Sequence, residues 1–469
     1  MSHCDRLVKK LIAFQTRPYA AEILGGVKLA ATDPFTIDQK GVPMLRSVLL
    51  TLAVLCVFQF SAGVPAVAQN WAHWRGPTGN GSASTGHPPT TWSPEKNIKW
   101  KVPLPGLGSG SPVIWNDRVF VVTAVAGSGD RNQARSQTQL QFKVLCFDRS
   151  TGKELWQQTA TTATPHQETH STNGYASASP CTDGQHVYAH FGSRGLYCYT
   201  MDGQLKWKRN DFGQMITRRG FGEGSSPTLV GKMILVPWDH EGDSALYALD
   251  KATGQTIWKT PRDEPSCWAT PLVFEHAGKQ QVVMNGQNYA RSYDLETGKE
   301  LWRCSGQTER PVASAVAGDG LVYVTSGYRG AFLGAFRPDG AGDIEGSKQV
   351  AWTIHQDAPD IASPLLSGGR IYFHKGKSGL LSCVDAKTGE FHYQTQRLPN
   401  ISNTYASPMS VAGHVYLTGR SGTTVVIKES DQLQIVAVNS VGETVDATPA
   451  PAGNELFIRG QEHLFCIAQ

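Results

Sequence analysis

The feature that most constrains this chain is a repeat. Leu145–Trp156 reads LCFDRSTGKELW, Leu246–Trp258 reads LYALDKATGQTIW, Ser292–Trp302 reads SYDLETGKELW and Leu381–Tyr393 reads LSCVDAKTGEFHY. In each copy an Asp (Asp148, Asp250, Asp294, Asp385) stands eight residues before an aromatic (Trp156, Trp258, Trp302, Tyr393), with Gly152, Gly254, Gly298 or Gly389 between them. A shortened copy, Leu196–Trp207, turns on Asp202-Gly203, and Trp352 holds the corresponding place elsewhere. A period of about 40–50 residues points to a propeller, solenoid or array. Alternating residues before the Asp have the period of a half-buried strand. Asp and Thr can bond nearby turn amides, Gly supplies a positive φ, and the chain returns as a second strand. A large ring once per repeat suits a wedge between neighbouring units, where it buries roughly 150–250 Å².

A second signal is a small residue followed by Ser or Thr and then Pro. It runs Gly110-Ser111-Pro112, Ala178-Ser179-Pro180, Ser225-Ser226-Pro227, Ala269-Thr270-Pro271, Ala362-Ser363-Pro364, Ala406-Ser407-Pro408 and Ala447-Thr448-Pro449, with Ala313-Ser314-Ala315 lacking the Pro. Eight copies imply eight units. Small residues suit strands crowded around an axis, and proline is tolerated near a strand's first residue. An alternating strand follows each copy, from Arg118–Thr123 to Glu455–Arg459, then the Asp strand and the Trp strand. Four strands per unit, a to d, make a propeller blade. The eighth unit ends after its third strand, His463–Ile467, while Ile98–Val102 upstream lacks a partner and carries Trp100 where a d-strand Trp belongs. Donating that strand to the last blade closes the ring and removes two edges. The expected fold is all-β: an eight-bladed β-propeller of four-stranded antiparallel blades over residues 98–469, closed by the N-terminal strand.

Composition agrees. With 49 Gly, 12 Trp and 17% charged residues, the chain fits a turn-dense all-β protein. A net charge of +4 without a basic run excludes nucleic acid as an expected partner. Residues 44–68 read as a signal peptide: Arg46, the apolar Val48–Phe58 and an A-x-A site at Ala66–Ala68. Residues 1–43 read as a mis-called or disordered extension, and 69–97 as an irregular lead over the outside of the main body. No membrane span is expected in the mature chain, which should be exported to the periplasm or beyond as a monomer. Cys146, Cys198, Cys383 and Cys466 occupy one repeat position and read as small core residues, without a disulfide framework.

The D-x-x-T-G-x-x-x-W turns and A-S-P starts resemble the PQQ-like (quinoprotein-type) propeller repeat family. That family takes in BamB-like outer-membrane assembly factors, quinoprotein alcohol and glucose dehydrogenases, and secreted PQQ-repeat proteins of planctomycete-type bacteria. The resemblance specifies the scaffold more than the chemistry.

Strand order puts the d–a and b–c loops on one face and the a–b and D-x-x-T-G turns on the other. The long segments fall on the first, where functional groups gather. Candidates for a ligand or partner face are His166, His170, Asn173, Arg218, Arg219, Trp238, Asp239, His240, Asp243, Trp268, Tyr328 and Arg329. His166, Glu168 and His170 have metal-like spacing but read as a solvated loop. Trp238–Asp243 reads as a polar hairpin tip, with Asp239 and Asp243 as weak calcium candidates. No metal or cofactor is expected. Two functions remain: a non-enzymatic exported scaffold binding a protein or envelope component, as the BamB resemblance implies, or a PQQ- and calcium-dependent oxidoreductase. The dehydrogenases carry a vicinal disulfide against the quinone, and this chain has no Cys-Cys.

Overall fold

The repeated turn takes the shape its residue types require. Asp148 Oδ1 accepts the Thr151 N–H at 2.8 Å and the Thr151 hydroxyl at 2.7 Å, and Asp250 with Thr253 and Asp294 with Thr297 repeat the pattern. Hydroxyl donation from Ser150 and Thr151 holds the Asp148 carboxyl below the usual carboxylate range. Gly152, Gly254, Gly298 and Gly389 all lie at φ between 70° and 75°. Each turn carries a ring from the preceding blade. A Cβ on Gly152, Gly203, Gly254, Gly298 or Gly389 would meet the indole of Trp100, Trp156, Trp207, Trp258 or Trp352 at 2.6–2.8 Å. The indole N–H of each of these tryptophans donates to a carbonyl of the next blade's turn, for example Trp156 to Met201 and Trp352 to Ala386. The glycine is therefore required twice, for its φ and for the ring above it.

This geometry builds the structure, a computed structural model describing residues 70–469 apart from 130 and 136. The upstream extension, the leader and its cleavage site lie outside the described residues. Eight antiparallel sheets follow in chain order. Blade 1 runs Val113–Trp115, Arg118–Ala126, Leu140–Asp148 and Glu154–Ala163, and blade 7 runs Met409–Val411, His414–Thr418, Thr423–Lys428 and Ile435–Ser440. Blade 8 takes Ala450–Ala452, Glu455–Arg459 and His463–Ile467 from the C-terminus and Ile98–Pro103 from the N-terminal side. Trp100 pairs with Cys466 and Pro103 with His463, so the ring closes as the sequence predicts. Apolar faces of adjacent blades form the core: Phe120 and Val122 of blade 1 pack with Val187 and Tyr197 of blade 2. The seven described cysteines are free and buried; burial pushes the Cys304 thiol up to about 11 and the Cys146 thiol up to about 12.

The lead corrects one expectation. Rather than lying over the outside, it enters the ring. Strand a of each blade has a free edge facing the axis, and the lead satisfies several of these edges. Trp71 exchanges both backbone hydrogen bonds with Ile114 of blade 1, and Ala72 accepts the Thr182 N–H of blade 2. Asn80 bonds Ala317 of blade 5 at 2.7 and 3.0 Å, and Ser82–Ala83 pairs in parallel with Ser410–Val411 of blade 7. Trp71 and Arg75 are fully buried. The chain then leaves past Tyr416 and Asn439 of blade 7, burying Trp92, to reach the outer edge of blade 8. The Trp- and Gly-rich composition is that of a packed plug. Among the described residues, no helix is long and apolar enough to cross a membrane.

Candidate functional site

The small-Ser/Thr-Pro signal also builds the site. Its Ser or Thr stands just before each inner strand, and its hydroxyl accepts the backbone N–H of the equivalent residue one blade earlier. The series runs from Ser111 N–H to Ser179, Ser179 to Ser226, and on through Thr270, Ser314, Ser363 and Ser407 to Thr448. These seven bonds measure 2.8–3.1 Å and form a collar around the axis. At the remaining junction, the Arg459 guanidinium donates to the Gly110 carbonyl at 3.0 Å.

Above the collar, on the loop-rich face, lies a cavity of 390 Å³. The residue two before each collar hydroxyl lines it in all eight blades: Ser109, Ser177, Gly224, Trp268, Val312, Ile361, Tyr405 and Asp446. Trp74 of the lead lines its inner end, its indole N–H 3.4 Å from Thr448 Oγ1. Trp74 and Thr270 also line a second cavity of 190 Å³ beside the inner strands of blades 3 and 4.

The walls are aromatic and cationic. The Arg310 guanidinium lies 3.4 Å from the Tyr328 ring centre and 5.5 Å from that of Phe221, and it approaches Asp360 at 3.4 Å. Lys377 approaches the same carboxylate at 3.6 Å. Arg420 lies 4.3 Å from the Tyr405 ring centre and chelates Asp446 at 2.5 and 3.2 Å. The Trp268 indole N–H is held by the Gly222 carbonyl at 2.7 Å, and its ring lies 6.4 Å from that of Phe221. His170 bonds Thr172 at 2.9 Å, which in turn meets Tyr405 OH at 3.1 Å. Burial, then the charges of Lys377, Arg310 and Arg420, push His170 below its ordinary value.

Of the residues singled out from the sequence, the structure brings His170, Asn173, Trp268 and Tyr328 together around this cavity. It does not bring the rest there. His166 is bound to Arg194 and, at 2.7 Å, to the Met215 carbonyl. Arg218 and Arg329 approach Glu309 at 3.5 and 3.9 Å, and Arg219 is exposed. The polar hairpin tip expected at Trp238–Asp243 is present between strands b and c of blade 3, with Glu241–Asp243 exposed, but its first three residues, Trp238, Asp239 and His240, are buried in its base. Trp238 ends strand b of blade 3, and all three side chains are buried. The cause is Arg262, from the following d–a loop, which grips both Asp239 oxygens at 2.8 and 3.0 Å inside the protein and also bonds Tyr293. The Asp239 carboxylate is therefore already neutralised by a buried guanidinium, which disfavours calcium beside it, and Asp243 is exposed.

Sequence reasoning missed Trp74, Arg310, Lys377, Tyr405, Arg420 and Asp446. For Tyr405 and Asp446 the signal was present, because each stands at one fixed place in the repeat. For Arg310 and Lys377, on irregular loops, no periodic signal existed. Glu443, Glu462 and His463 offer ligand atoms within 4.8 Å of one another. However, Glu443 already accepts two backbone N–H groups at 2.9 Å and meets the His463 ring at 2.7 Å.

A family model described as outer membrane protein assembly factor BamB matches residues 60–210, 141–395 and 286–468. A stretch of 96 residues is 33% identical to the quinoprotein alcohol dehydrogenase PedE of Pseudomonas putida, covering 20% of this chain and 14% of that protein. Another of 89 residues is 27% identical to methanol dehydrogenase (cytochrome c) subunit 1 of Methylorubrum extorquens, covering 18% and 13%. The chain thus spans about a seventh of the length of these curated relatives. Among solved structures, BamB from Moraxella catarrhalis superposes with a TM-score of 0.52 at 13% identity, over 79% of this chain and 97% of that one. The computationally designed protein Ika8 gives 0.53 at 12% identity, over 78% and 100%. These likenesses show the fold.

Proposed function

We propose, from the premise that the chain belongs to the PQQ-repeat family described as outer membrane protein assembly factor BamB, that it is an exported, non-enzymatic binding propeller. Its partner is another exported protein or an envelope component, taken at the loop-rich face. One observation carries this reading: the cavity at the channel mouth, where aromatic side chains and the cations Arg310 and Lys377 converge on the ring, with Trp74 in its lining. Such a concave site with few convergent polar groups is built to hold something.

The oxidoreductase reading needs a calcium site and a flat quinone pocket. Calcium takes about six to eight oxygen ligands. At the mouth, both Asp446 oxygens are held by Arg420, and Asp360 shares one oxygen between Arg310 and Lys377. Only Asp360 Oδ1 is uncommitted, and it is buried. Arg310 already occupies the space between the Phe221 and Tyr328 rings. The residues present do not fit that cofactor pair, which supports the binding role.

The test has two arms. Purified protein is reconstituted with PQQ and Ca²⁺ and assayed for dye-linked alcohol oxidation. In parallel, envelope extract is passed over the wild-type protein and over Tyr328→Ala and Lys377→Met. A partner retained by the wild type and lost with the mouth variants supports the reading. Tight PQQ binding with oxidation, or retention indifferent to the mouth, overturns it.

A further inference from the structure

We propose that the hydroxyl collar beneath the mouth is a carboxylate-capture site that takes the C-terminal carboxylate of an extended polypeptide. This rests on the reading of the mouth as a binding surface and specifies what enters it.

A Ser or Thr hydroxyl has one O–H to donate and two lone pairs that accept. In the collar one lone pair of each hydroxyl is taken by the neighbouring blade's N–H. Among the described residues, the hydroxyls of Ser179, Ser226, Thr270 and Ser407 donate no hydrogen bond; their side-chain bonds are those they accept. All four line the cavity and are 9% exposed or less. A ring of buried donors without acceptors is what an ionised carboxylate, acceptor-only with about four lone-pair sites, would satisfy.

The surroundings specify the rest of the ligand. Arg310 and Lys377 share the single carboxylate of Asp360, which leaves one net positive charge at the mouth, while Arg420 is neutralised by Asp446. His170, pushed below its ordinary value by burial first and then by Lys377, Arg310 and Arg420, lines the same cavity. An amine terminus is therefore disfavoured. Phe221, Trp268 and Tyr405 line the same cavity and supply apolar surface for a side chain. At the inner end stand Trp74 and the lead, which bonds the inner strands of blades 1, 2, 5 and 7 and so crosses the ring. A donor-lined hole with the lead lying across its inner end accepts the end of a chain and not its middle. Capture of a terminal carboxylate by converging donors is an established mode of peptide recognition.

The experiment uses the full chain, immobilised, and a pool of hexapeptides randomised at the last three positions, supplied as free acids and as C-terminal amides. Retained peptides are quantified by mass spectrometry. Free acids are expected to be retained at least tenfold over amides. The preference should be lost in Lys377→Met and in Thr270→Val, and kept in Lys387→Met on the opposite face. A thermal melt checks that Thr270→Val folds; if it does not, Lys377→Met carries the comparison. Equal retention of acids and amides overturns the carboxylate assignment while leaving binding at the mouth intact. Retention of neither overturns it outright, and the extract experiment then judges the binding reading independently. Sodium propionate competing as tightly as the best peptide acid would show that a free small acid suffices, and would overturn the polypeptide assignment.

Discussion

Gly254→Ala isolates the contact that locks one blade to the next. Gly254 is buried in the turn of blade 3 at φ +75°, and a Cβ there would lie 2.8 Å from Cε3 and 3.0 Å from Cδ2 of Trp207. Forcing an L-residue into this left-handed conformation costs about 1–2 kcal/mol. Driving a methyl group into a packed ring adds about 1–3 kcal/mol. The sum is about 2–5 kcal/mol. Gly413, in the a–b turn of blade 7, has nearly the same φ, +72°, with nothing within 4 Å of its Cβ direction. Gly413→Ala is therefore the conformational control, expected to lose only about 1–2 kcal/mol. The difference between the two is the ring contact. Urea unfolding followed by circular dichroism, compared at equal m-values, measures both. A Trp207→Leu background should shrink the Gly254→Ala increment to that of Gly413→Ala. If the two alanine variants shift the midpoint equally, or if removing the indole changes nothing, the docking of ring on glycine is not what joins the blades.

Other outcomes follow from the same contacts. Arg262→Leu leaves Asp239 buried without its partner and should cost about 3–5 kcal/mol, whereas Asp239→Leu combined with Arg262→Leu should recover most of it, both read from urea midpoints. His190 and His374 are buried and held down to about 4 by desolvation, against an ordinary 6.5. Both are neutral in the fold, so their contribution is fully present above pH 6.5 and is lost as the unfolded chain takes up protons between pH 6.5 and about 4. The slope is about 1.4 kcal/mol per pH unit per histidine, and His374→Leu should remove its share in a pH series of urea melts. Trp100→Ala breaks the ring closure, losing the 2.9 Å bond to the Arg149 carbonyl and the packing on Phe457, and should cost about 3–5 kcal/mol in the same assay.

Much of the fold was legible because the repeat states the same local physics many times. The D-x-x-T-G turn, the ring eight residues later and the missing fourth strand of blade 8 together specify the blade, the number of blades and the closure through Trp100. The lead was misread because its burial depends on free strand edges at the axis, which exist only once the ring has formed. Half of the site was encoded in register. The place two before each collar hydroxyl carries Trp268, which the sequence singled out, and also Tyr405 and Asp446, which a periodic reading extended by two residues would have added. Arg310 and Lys377 reach the mouth from loops without periodicity, and the Arg262–Asp239 pair joins groups 23 residues apart, so neither could be read from spacing.

The claim that the loop-rich mouth is where this propeller binds is tested most directly by photocrosslinking. A benzophenone side chain is placed at position 328, on the mouth, or at position 387, on an exposed turn of the opposite face, in protein exposed to envelope extract. Crosslinking of one discrete partner from position 328 and not from 387, with loss of the product in Lys377→Met, is the expected result. Capture from position 387 with none from 328 would contradict the account.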